Sequence, residues 1–443
     1  MSARRRPVLP KDITVTIEKL SHDGRGIARI DGKTTFVHGA LSGEEVVIDI
    51  TSRSKDYDEG RTTAVLNASP LRVEPICPNY TRCGGCSLQH LNDASQIQEK
   101  EIQLIDLLTR VGHVKAKTIL PPLTAKTSHY RNKARLSAKY VIKNQVALVG
   151  FRERANSRYI AEIDTCKVLN AHLDKHIPAL RALIASFSIP TSIAQIELAA
   201  GDDKVALIFR HLEPLSDQDL SALKQFADDN QFVIYLQPGG FDSVKLFYPE
   251  DNAYLTYRYP PEAITYHFHP TDFTQVNGAL NTLMLNQALA LMDLQPDDVV
   301  LDLFCGLGNF TLPMAKNCAK VVGVEGSQTM VDRALMNAGL NNIQNVEFYA
   351  KDLEKPDSLA TLLTYGFTKV LIDPPRTGAL AVVEQMAKLN VKRIVYVSCN
   401  PATLARDADV LVNKLKYRLV SAGVMDMFPH TAHVESIAVF ERT

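Results

Sequence analysis

The pattern of hydrophobic and polar positions changes twice along the chain, and each part predicts different elements. Between residues 12 and 66, short runs rich in β-branched residues are separated by turn-forming sequences such as HDGRG, DGK and LSGE. About five strands in so short a stretch predict a small all-β unit, and an OB-like barrel of the kind that often binds RNA suits the spacing. Other small barrels suit it equally well.

A helical period follows, and then a mixed pattern. Residues 93–112 carry apolar side chains at helical spacing, with Asp93 or Ser95 as the expected N-cap and Gly112 near the end. Residues 128–258 alternate between strand-like and helix-like runs without a nucleotide-binding glycine motif. This stretch therefore predicts a mixed α+β domain.

From about residue 271 onward, the pattern is that of a doubly wound sheet. A helix over residues 278–292 precedes strand candidates that alternate with helical segments, which predicts a mostly parallel, Rossmann-like α/β sheet. The last two candidates, YRLVSAGVMDMF and ESIAVFER, follow each other without a helix, so we expect one of them to be antiparallel. The predicted fold is multidomain, with a barrel over residues 8–67, a middle domain over 70–265 whose helix 93–112 packs on the third domain, and that third domain over 266–443.

Composition and charge narrow the class of protein. The 443 residues are 46% hydrophobic and 22% charged, which is ordinary for a globular protein, and the formal net charge is zero. The sequence contains no run of about 18 apolar residues, so it predicts no transmembrane helix. The basic N-terminus is not followed by the apolar stretch of a secretory signal, so we expect a cytoplasmic protein with no membrane partner.

Basic residues are concentrated between residues 129 and 159. Eight of them accompany a single acid there, Glu153. Such a stretch can hold nucleic-acid phosphates while the whole chain stays neutral, although it could equally be a solvated face of a sheet.

A glycine loop follows the first strand of the α/β domain. In VVLDLFCGLGNF, Gly306 and Gly308 allow the backbone to approach a ligand closely. Thr311 stands where the dinucleotide fingerprint has its third glycine, which argues against NAD or FAD. We expect Asp302, inside the strand end, to meet the charged end of an amino-acid-like ligand.

Two further acids follow the next strands. Glu325 ends the second strand, where a carboxylate can hold both hydroxyls of a ribose, and Asp352 follows the third strand, where it can reach an adenine edge. Together with the glycine loop, these positions resemble the S-adenosylmethionine methyltransferase fold.

Two later strands end in reactive groups. Asp373-Pro374-Pro375-Arg376 closes one strand, and Ser398-Cys399-Asn400-Pro401 closes the next. Asp-Pro-Pro also occurs in enzymes that methylate exocyclic amines, but there an aromatic residue usually follows, and the arginine here indicates a different target.

A thiol at a strand end suits one particular reaction. Carbon 5 of a pyrimidine is a weak nucleophile, and addition of the Cys399 thiolate to carbon 6 would make it enolate-like and able to attack a methyl sulfonium. A base must then remove the carbon-5 proton, and Glu435, in DMFPHTAHVE, is the candidate. His433 in the same segment is a candidate for orienting the site.

The cysteines point to metal binding or catalysis rather than to disulfides. Seven are present, an odd number, and Cys77, Cys83 and Cys86 lie within ten residues. With Cys166 they supply four thiolates, a set that fits either tetrahedral zinc or an iron–sulfur cluster. Thiolate ligands alone do not decide between the two.

The motifs LDLFCGLGNF, IDPPR, VSCNP and DMFPHTAHVE, in this order, resemble the bacterial RNA (uracil-C5)-methyltransferase family. The segment CPNYTRCGGCSLQH resembles the iron–sulfur signature of the ribosomal members, and the N-terminal unit resembles the TRAM domain, an OB-like RNA-binding barrel. The tRNA-specific members lack both features, and the shorter ribosomal members lack the TRAM domain. Having both, the chain resembles the members that methylate a single uridine of 23S ribosomal RNA, conventionally numbered 1939.

The resemblance implies a role for each matching residue. Cys399 would be the nucleophile, Glu435 the proton abstractor, and Asp373 a neighbour of the target uracil at the border of the cofactor site. The four cysteines named above would ligate a [4Fe–4S] cluster, and a monomer would bind the RNA with its uridine flipped out of the stack. The implied contacts to S-adenosylmethionine come from Gln275, Phe304, Asn309, Glu325, Asp352 and Asp373.

Three alternatives remain open from the sequence. The same chemistry could act on another ribosomal uridine or on tRNA. A methyltransferase of exocyclic amines would leave Cys399 with a structural role. A non-catalytic RNA-binding or redox-sensing protein built around the cysteine cluster would need all four motifs to be relics.

Overall fold

The computed structural model describes residues 9–251 and 254–442, and it begins with a small β-unit. The basic residues 1–8, with the predicted start of the barrel at residue 8, lie outside the described residues. Six strands form one sheet in the order β1-β5-β6-β4-β3-β2, and β1 also contacts β3, which curls the sheet towards a barrel. The strands are β1 (Ile13–Thr16), β2 (Lys19–Leu20), β3 (Gly26–Ile30), β4 (Lys33–His38), β5 (Glu45–Arg53) and β6 (Tyr57–Asn67).

Alternation of side chains explains this barrel. In β5, Val46, Ile48 and Ile50 are buried while the residues between them are not, as expected for a strand with one face on a core. Asp31 and Gly32 both adopt positive φ (52° and 81°) between β3 and β4, the backbone that a tight Asp-Gly hairpin requires.

The helix predicted over residues 93–112 is present as α1 (Asp93–Arg110). Its N-cap is Asn92, whose side chain accepts a hydrogen bond from the Ser95 N–H. The two candidates for the N-cap, Asp93 and Ser95, are therefore wrong by one and three positions. The helix packs against the helix Pro401–Asp409 and the strand Tyr417–Met425, both of which belong to the third domain. Its buried Lys100 donates to Asp426 at 2.6 Å, and loss of either partner would cost roughly 3–5 kcal/mol because a buried charge would be left unpaired.

A second six-stranded sheet forms the centre of the chain, in the order β13-β12-β11-β10-β8-β9. Three helices and a separate hairpin, β14–β15, accompany it. Leu207 and Ile234 are fully buried in its central strands, which explains their continuous apolar sequence. The elements are β8 (Lys133–Val141), β9 (Val146–Gly150), α2 (Ala171–Asp174), α3 (Ile177–Ala185), β10 (Ile193–Ala200), β11 (Val205–His211), α4 (Asp217–Asn230), β12 (Phe232–Gln237), β13 (Lys245–Tyr248), β14 (Leu255–Tyr259) and β15 (Ile264–Phe268).

The third sheet is doubly wound and has the order β18-β17-β16-β19-β20-β22-β21-β7. Strand β22 is antiparallel to both of its neighbours, which confirms the prediction of one antiparallel strand at the end. The elements are β7 (Thr118–Ile119), α5 (Gly278–Met292), β16 (Val299–Leu303), α6 (Thr311–Ala315), β17 (Lys320–Glu325), α7 (Gln328–Leu340), β18 (Val346–Ala350), β19 (Lys369–Ile372), α8 (Leu380–Val383), α9 (Met386–Leu389), β20 (Arg393–Ser398), α10 (Pro401–Asp409), β21 (Tyr417–Met425) and β22 (Glu435–Arg442).

Both faces of this sheet are covered, so its strands are apolar throughout. Successive residues of β16 belong to different cores: Val300 lies in the core that contains α5, and Leu301 lies in the core that contains α1 and α10. The barrel, middle and α/β units have the predicted character, while their boundaries at residues 67, 70 and 265 stay predictions. Among the described helices, none combines the length and the apolar character that a membrane crossing requires.

Candidate active site

The predicted functional residues lie in a row along one edge of the third sheet. Glu325 ends β17, Asp373 directly follows β19, and Cys399 directly follows β20. Glu435 is the first residue of β22, and because that strand is antiparallel its start lies at the edge where the parallel strands end. Ligands of doubly wound sheets bind outside this carboxyl edge.

One cavity of about 900 Å³ opens at this edge, and it brings the predicted cofactor and catalytic residues together. They reach it from different parts of the chain, which only folding unites. All eight line it: Gln275, Phe304, Asn309, Glu325, Asp352, Asp373, Cys399 and Glu435.

The glycine loop forms one wall of the cavity. Gly306 has a positive φ of 54°, and a Cβ built on it would meet no atom within 4 Å, so its backbone faces open space. Its N–H donates to Glu325 Oε2 at 3.1 Å, and the Ser327 N–H donates to Oε1 at 3.1 Å. Phe304 also has a positive φ, 64°, which is uncommon for a residue with a side chain and typical of strained functional sites.

Asp302 does not occupy the position expected from the sequence. It is fully buried and is not among the described residues that line the cavity. The Thr311 hydroxyl donates to its Oδ2 at 2.5 Å, and burial raises the pKa of Asp302 to about 8. The side chain therefore holds the first residue of α6, just after the glycine loop, and does not reach the cavity where a ligand would bind.

Strand register brings Cys399 and Glu435 to neighbouring positions. Ser398 in β20 pairs with Ser436 in β22, and the Ser436 hydroxyl donates to the Ser398 carbonyl at 3.1 Å. The residue after Ser398 and the residue before Ser436 are consequently the next opposed pair of these antiparallel strands.

Burial favours the uncharged forms of Asp373, Cys399 and Glu435. It raises the pKa of Asp373 to about 7 and the pKa of Cys399 to about 11, where the charges of Glu435 and Asp373 add to the effect. Burial also raises the pKa of Glu435 well above its ordinary value. The cation of Arg376 opposes these shifts at Cys399 and Glu435.

Arg376 lines the catalytic cavity and contacts His433, which is not among the described residues that line that cavity. Burial lowers the pKa of His433 to about 4, so its ring is neutral and Nδ1 can accept from Arg376 Nη2 at 3.1 Å. Arg376 also lines a second cavity, described below, whose other walls include the four clustered cysteines. From the sequence, Arg376 indicates only a target other than an exocyclic amine.

A hydrogen-bond network around Asn309 was missed by the sequence argument. The Tyr257 hydroxyl and Asn281 Nδ2 both donate to Asn309 Oδ1, at 3.0 and 3.2 Å, and Tyr266 donates to the main-chain carbonyl of Asn309 at 3.0 Å. Asn309 Nδ2 returns a bond to Asn281 Oδ1 at 3.0 Å. With its carbonyl oxygen occupied, the amide can offer its second N–H to an acceptor in the cavity.

Loss of the Tyr257 hydroxyl is expected to weaken cofactor binding. In Tyr257→Phe the Asn309 amide keeps its two bonds with Asn281 but loses one of the two donors to its oxygen. With the amide held less firmly, the KM for S-adenosylmethionine should rise roughly three- to tenfold, the loss expected of one hydrogen bond, with little change in kcat. Initial rates at varied cofactor concentration measure this. Tyr248→Phe, which loses a hydroxyl bonded to Asp228 in the middle sheet, is the matched control. Equal cofactor KM values in the two variants would contradict the assigned role.

The four clustered cysteines meet in a second cavity, of about 540 Å³. Cys77, Cys83, Cys86 and Cys166 all line it, although Cys166 is distant in sequence. Within the described residues, no group of three or more His, Cys, Asp or Glu side chains is arranged to hold a metal ion. The four thiols line this common cavity. Burial raises the pKa of Cys86 to about 11 and that of Cys166 to about 12.

Part of the basic stretch turns inward instead of facing solvent. Arg154 Nη2 donates to the carbonyls of Tyr80, Cys83 and Cys86, and so holds the cysteine loop. Lys133 donates to the Asp272 carbonyl. The predicted phosphate patch is thereby reduced to its exposed members, which are Arg135, Lys139, Lys143, Arg152 and Arg158.

Fold and site together define the class of protein. A crystal structure of Pyrococcus abyssi tRNA (uracil-54, C5)-methyltransferase in complex with S-adenosyl-L-homocysteine superposes with a TM-score of 0.74 and 25% identity, covering 97% of this chain and 100% of that one. With a glycine loop, strand-end carboxylates and one shared cavity, the chain is an S-adenosylmethionine-dependent methyltransferase.

The family follows from sequence comparison. The model of the tRNA (uracil-5-)-methyltransferase family matches residues 92–443, and that of the TRAM domain matches residues 11–62. The chain belongs to this uracil-5 methyltransferase family and carries a TRAM domain at its N-terminus.

Several relatives match along nearly the whole chain. The protein named 23S rRNA (uracil(1939)-C(5))-methyltransferase RlmD from Legionella pneumophila (strain Lens) is 56% identical over 97% of both chains. Proteins of the same name are 51% identical in Alcanivorax borkumensis, over 99% of both chains, and 49% identical in Hahella chejuensis, over 100% of both.

Proposed function

We propose that this protein transfers a methyl group from S-adenosylmethionine to C5 of uridine 1939 in 23S ribosomal RNA, giving 5-methyluridine. The names of its relatives support the RNA target. The observation that carries the chemistry is the shared cavity, in which a thiol and two carboxylates at one end face the strand-end acids Glu325 and Asp352 at the other.

Cys399 would begin the reaction. Its thiol loses a proton to solvent, a change that the nearby cation of Arg376 favours, and the thiolate adds to C6 of the uracil. C5 becomes enolate-like and attacks the methyl carbon, the carbon–sulfur bond of the sulfonium breaks, and S-adenosylhomocysteine leaves. Asp373, whose pKa burial raises to about 7, would hydrogen-bond the uracil.

Glu435 would end the reaction. As a carboxylate it accepts the C5 proton, the electrons of that C–H bond form the C5=C6 double bond, and the bond between Cys399 Sγ and C6 breaks. The free thiolate is regenerated and the methylated RNA dissociates. Burial raises the pKa of Glu435, which makes its carboxylate a stronger base than an exposed one.

The RNA must reach this cavity with one base unstacked. We propose that a cytoplasmic monomer binds the RNA with the uridine flipped, which costs a few kcal/mol in a duplex and least in a loop. The TRAM domain and the exposed basic residues of the middle domain would hold the flanking phosphates, so affinity would fall with salt.

A [4Fe–4S] cluster is the group proposed for the cysteine cavity. Four cysteines line this one cavity, and the resemblance of CPNYTRCGGCSLQH to the iron–sulfur signature favours a cluster over a single zinc ion. The residues that would hold it are Cys77, Cys83, Cys86 and Cys166. Such a cluster would supply the positive charge that stabilises four thiolates at neutral pH, and it would tie the cysteine loop to Cys166.

Replacing one of these thiols is expected to remove the cluster. Protein purified without oxygen should contain about four irons per chain and absorb broadly near 400 nm, whereas Cys83→Ser should lose the iron and the absorbance. Cys318→Ser, which changes a thiol bonded to Met314 outside this cavity, is the control. Zinc in place of iron, or equal iron in both variants, would contradict the assignment.

Nucleoside mapping tests the RNA target. Ribosomal RNA and tRNA from cells that lack the protein are digested and analysed by mass spectrometry, before and after complementation. Loss of 5-methyluridine at position 1939 alone supports the proposal. Loss from tRNA would instead favour the activity named for the Pyrococcus abyssi structure, whose fold is shared along the whole chain.

A further inference from the structure

The loop that precedes Glu435 is held by residues from outside the third sheet. This base-bearing loop, residues 426–434, connects β21 to β22, and the strands meet at its foot where Met425 pairs with Glu435. Asp426, His430 and Thr431 are buried although they belong to a loop. A buried loop needs hydrogen-bond partners for its polar groups. Many of these partners come from the cysteine segment, residues 77–90, and from α1.

The cysteine segment supplies three of these bonds. Ser87, the residue after Cys86, donates its N–H to the His430 carbonyl at 2.9 Å, and Leu88 donates to the same carbonyl at 3.0 Å. The Ala432 N–H in turn donates to Ser87 Oγ at 3.0 Å. His430 has a positive φ of 66°, so these bonds fix a backbone turn that the loop would not readily adopt alone.

Helix α1 supplies three more bonds. The His430 N–H donates to Gln96 Oε1 at 2.8 Å, and Lys100 Nζ donates to both Asp426 Oδ1 and the Phe428 carbonyl, at 2.6 and 3.1 Å. Phe428 lines the catalytic cavity as well as the cysteine cavity. The loop is therefore clamped between two elements that precede the third sheet in the chain.

We propose that Ser87 and Gln96 are positioning residues for Glu435, and that the cysteine segment and α1 serve to hold the base at the C5 proton. Cys399 follows β20 and precedes α10. Helix α10 packs on α1, but the bonds of Ser87 and Gln96 described above go to the loop and not to α10. Loosening the clamp should therefore slow proton removal more than thiolate addition or methyl transfer. The proposal rests on the function proposed above.

A selective slowing of proton removal can be distinguished by experiment from a general loss of folding. When the C5 proton stays, the C5–H bond is intact, no electron pair is available to re-form C5=C6, and the bond between Cys399 Sγ and C6 cannot break. Methylated RNA then remains attached to the protein. Slower proton removal thus converts lost turnover into accumulated, methyl-bearing covalent adduct.

The test uses the full-length protein and an RNA fragment with an ordinary uridine at the target. For Ser87→Ala we expect turnover to fall roughly three- to tenfold, the loss typical of one hydrogen bond, while the denaturant-stable adduct carrying the labelled methyl group rises. Ser87→Thr, which keeps the hydroxyl, should restore both quantities. Ser221→Ala, whose hydroxyl bonds to Asp217 in α4, should match the wild type.

Gln96→Met loosens the loop from the side of α1 and keeps the test decisive if Ser87→Ala does not fold. It too should raise the adduct as turnover falls. Reduced turnover without extra adduct in the folded variants would overturn the positioning role. A wild-type protein that forms no adduct with 5-fluorouridine RNA would instead overturn the proposed chemistry, so the two failures are distinguishable.

Discussion

Cys399→Ala is expected to abolish methyl transfer, lowering turnover at least about a thousandfold, because no other route activates C5. The variant should still bind S-adenosylmethionine, since Glu325 and the glycine loop lie on other strands of the sheet. Methyl incorporation from labelled cofactor into an RNA fragment measures the loss, and calorimetry measures cofactor binding.

The covalent step can be observed separately. RNA with 5-fluorouridine at the target should form a denaturant-stable adduct with the wild type, because fluorine at C5 cannot leave as a proton, and none with Cys399→Ala. Cys318→Ala is the matched control, since that buried thiol bonds to the Met314 carbonyl away from the cavity. Normal turnover by Cys399→Ala would refute the covalent mechanism and leave this thiol a structural role.

The site was largely predictable because strand ends of a doubly wound sheet meet at one edge. Glu325, Asp373 and Cys399 each end or follow an apolar strand, a pattern that is visible in the sequence. Their convergence follows from parallel pairing alone. Glu435 is indicated by the need for a base and by the segment DMFPHTAHVE, whereas its position beside Cys399 depends on the antiparallel register of β22.

Contacts between distant segments were not predictable in this way. Asn309 is oriented by Tyr257 and Asn281, and no local pattern links a tyrosine of a separate hairpin to the glycine loop. Arg154 lies in a run of basic residues, yet its guanidinium holds the carbonyls of the cysteine loop. Charge runs reveal composition but not which side chains turn inward.

Asp302 illustrates a different limit. A carboxylate within a strand end can point towards a ligand or into the protein, and one residue of register separates the two. In this protein it accepts the Thr311 hydroxyl, so the residue that argued against a dinucleotide also explains where Asp302 turns. The sequence contains both residues, but it does not show that the Asp302 side chain points towards Thr311 instead of towards a ligand.

Glu435→Gln is expected to separate the two halves of the reaction. Glutamine nearly matches glutamate in shape but cannot accept the C5 proton, so turnover should fall about 10²- to 10⁴-fold, the usual contribution of a general base. Thiolate addition and methyl transfer do not require this carboxylate. The variant should therefore accumulate methylated RNA bound to Cys399, with an ordinary uridine and without fluorine.

Gel electrophoresis under denaturing conditions, with label in the methyl group, measures that species. Its yield should approach one RNA per protein as turnover vanishes, whereas Cys399→Ala should give none. Glu384→Gln, a substitution at an exposed position beside α8, should keep normal turnover and show no adduct. If Glu435→Gln lost turnover without retaining labelled RNA, another group would have to be the base, and Asp373, with its pKa near 7 in the same cavity, would be the next to test.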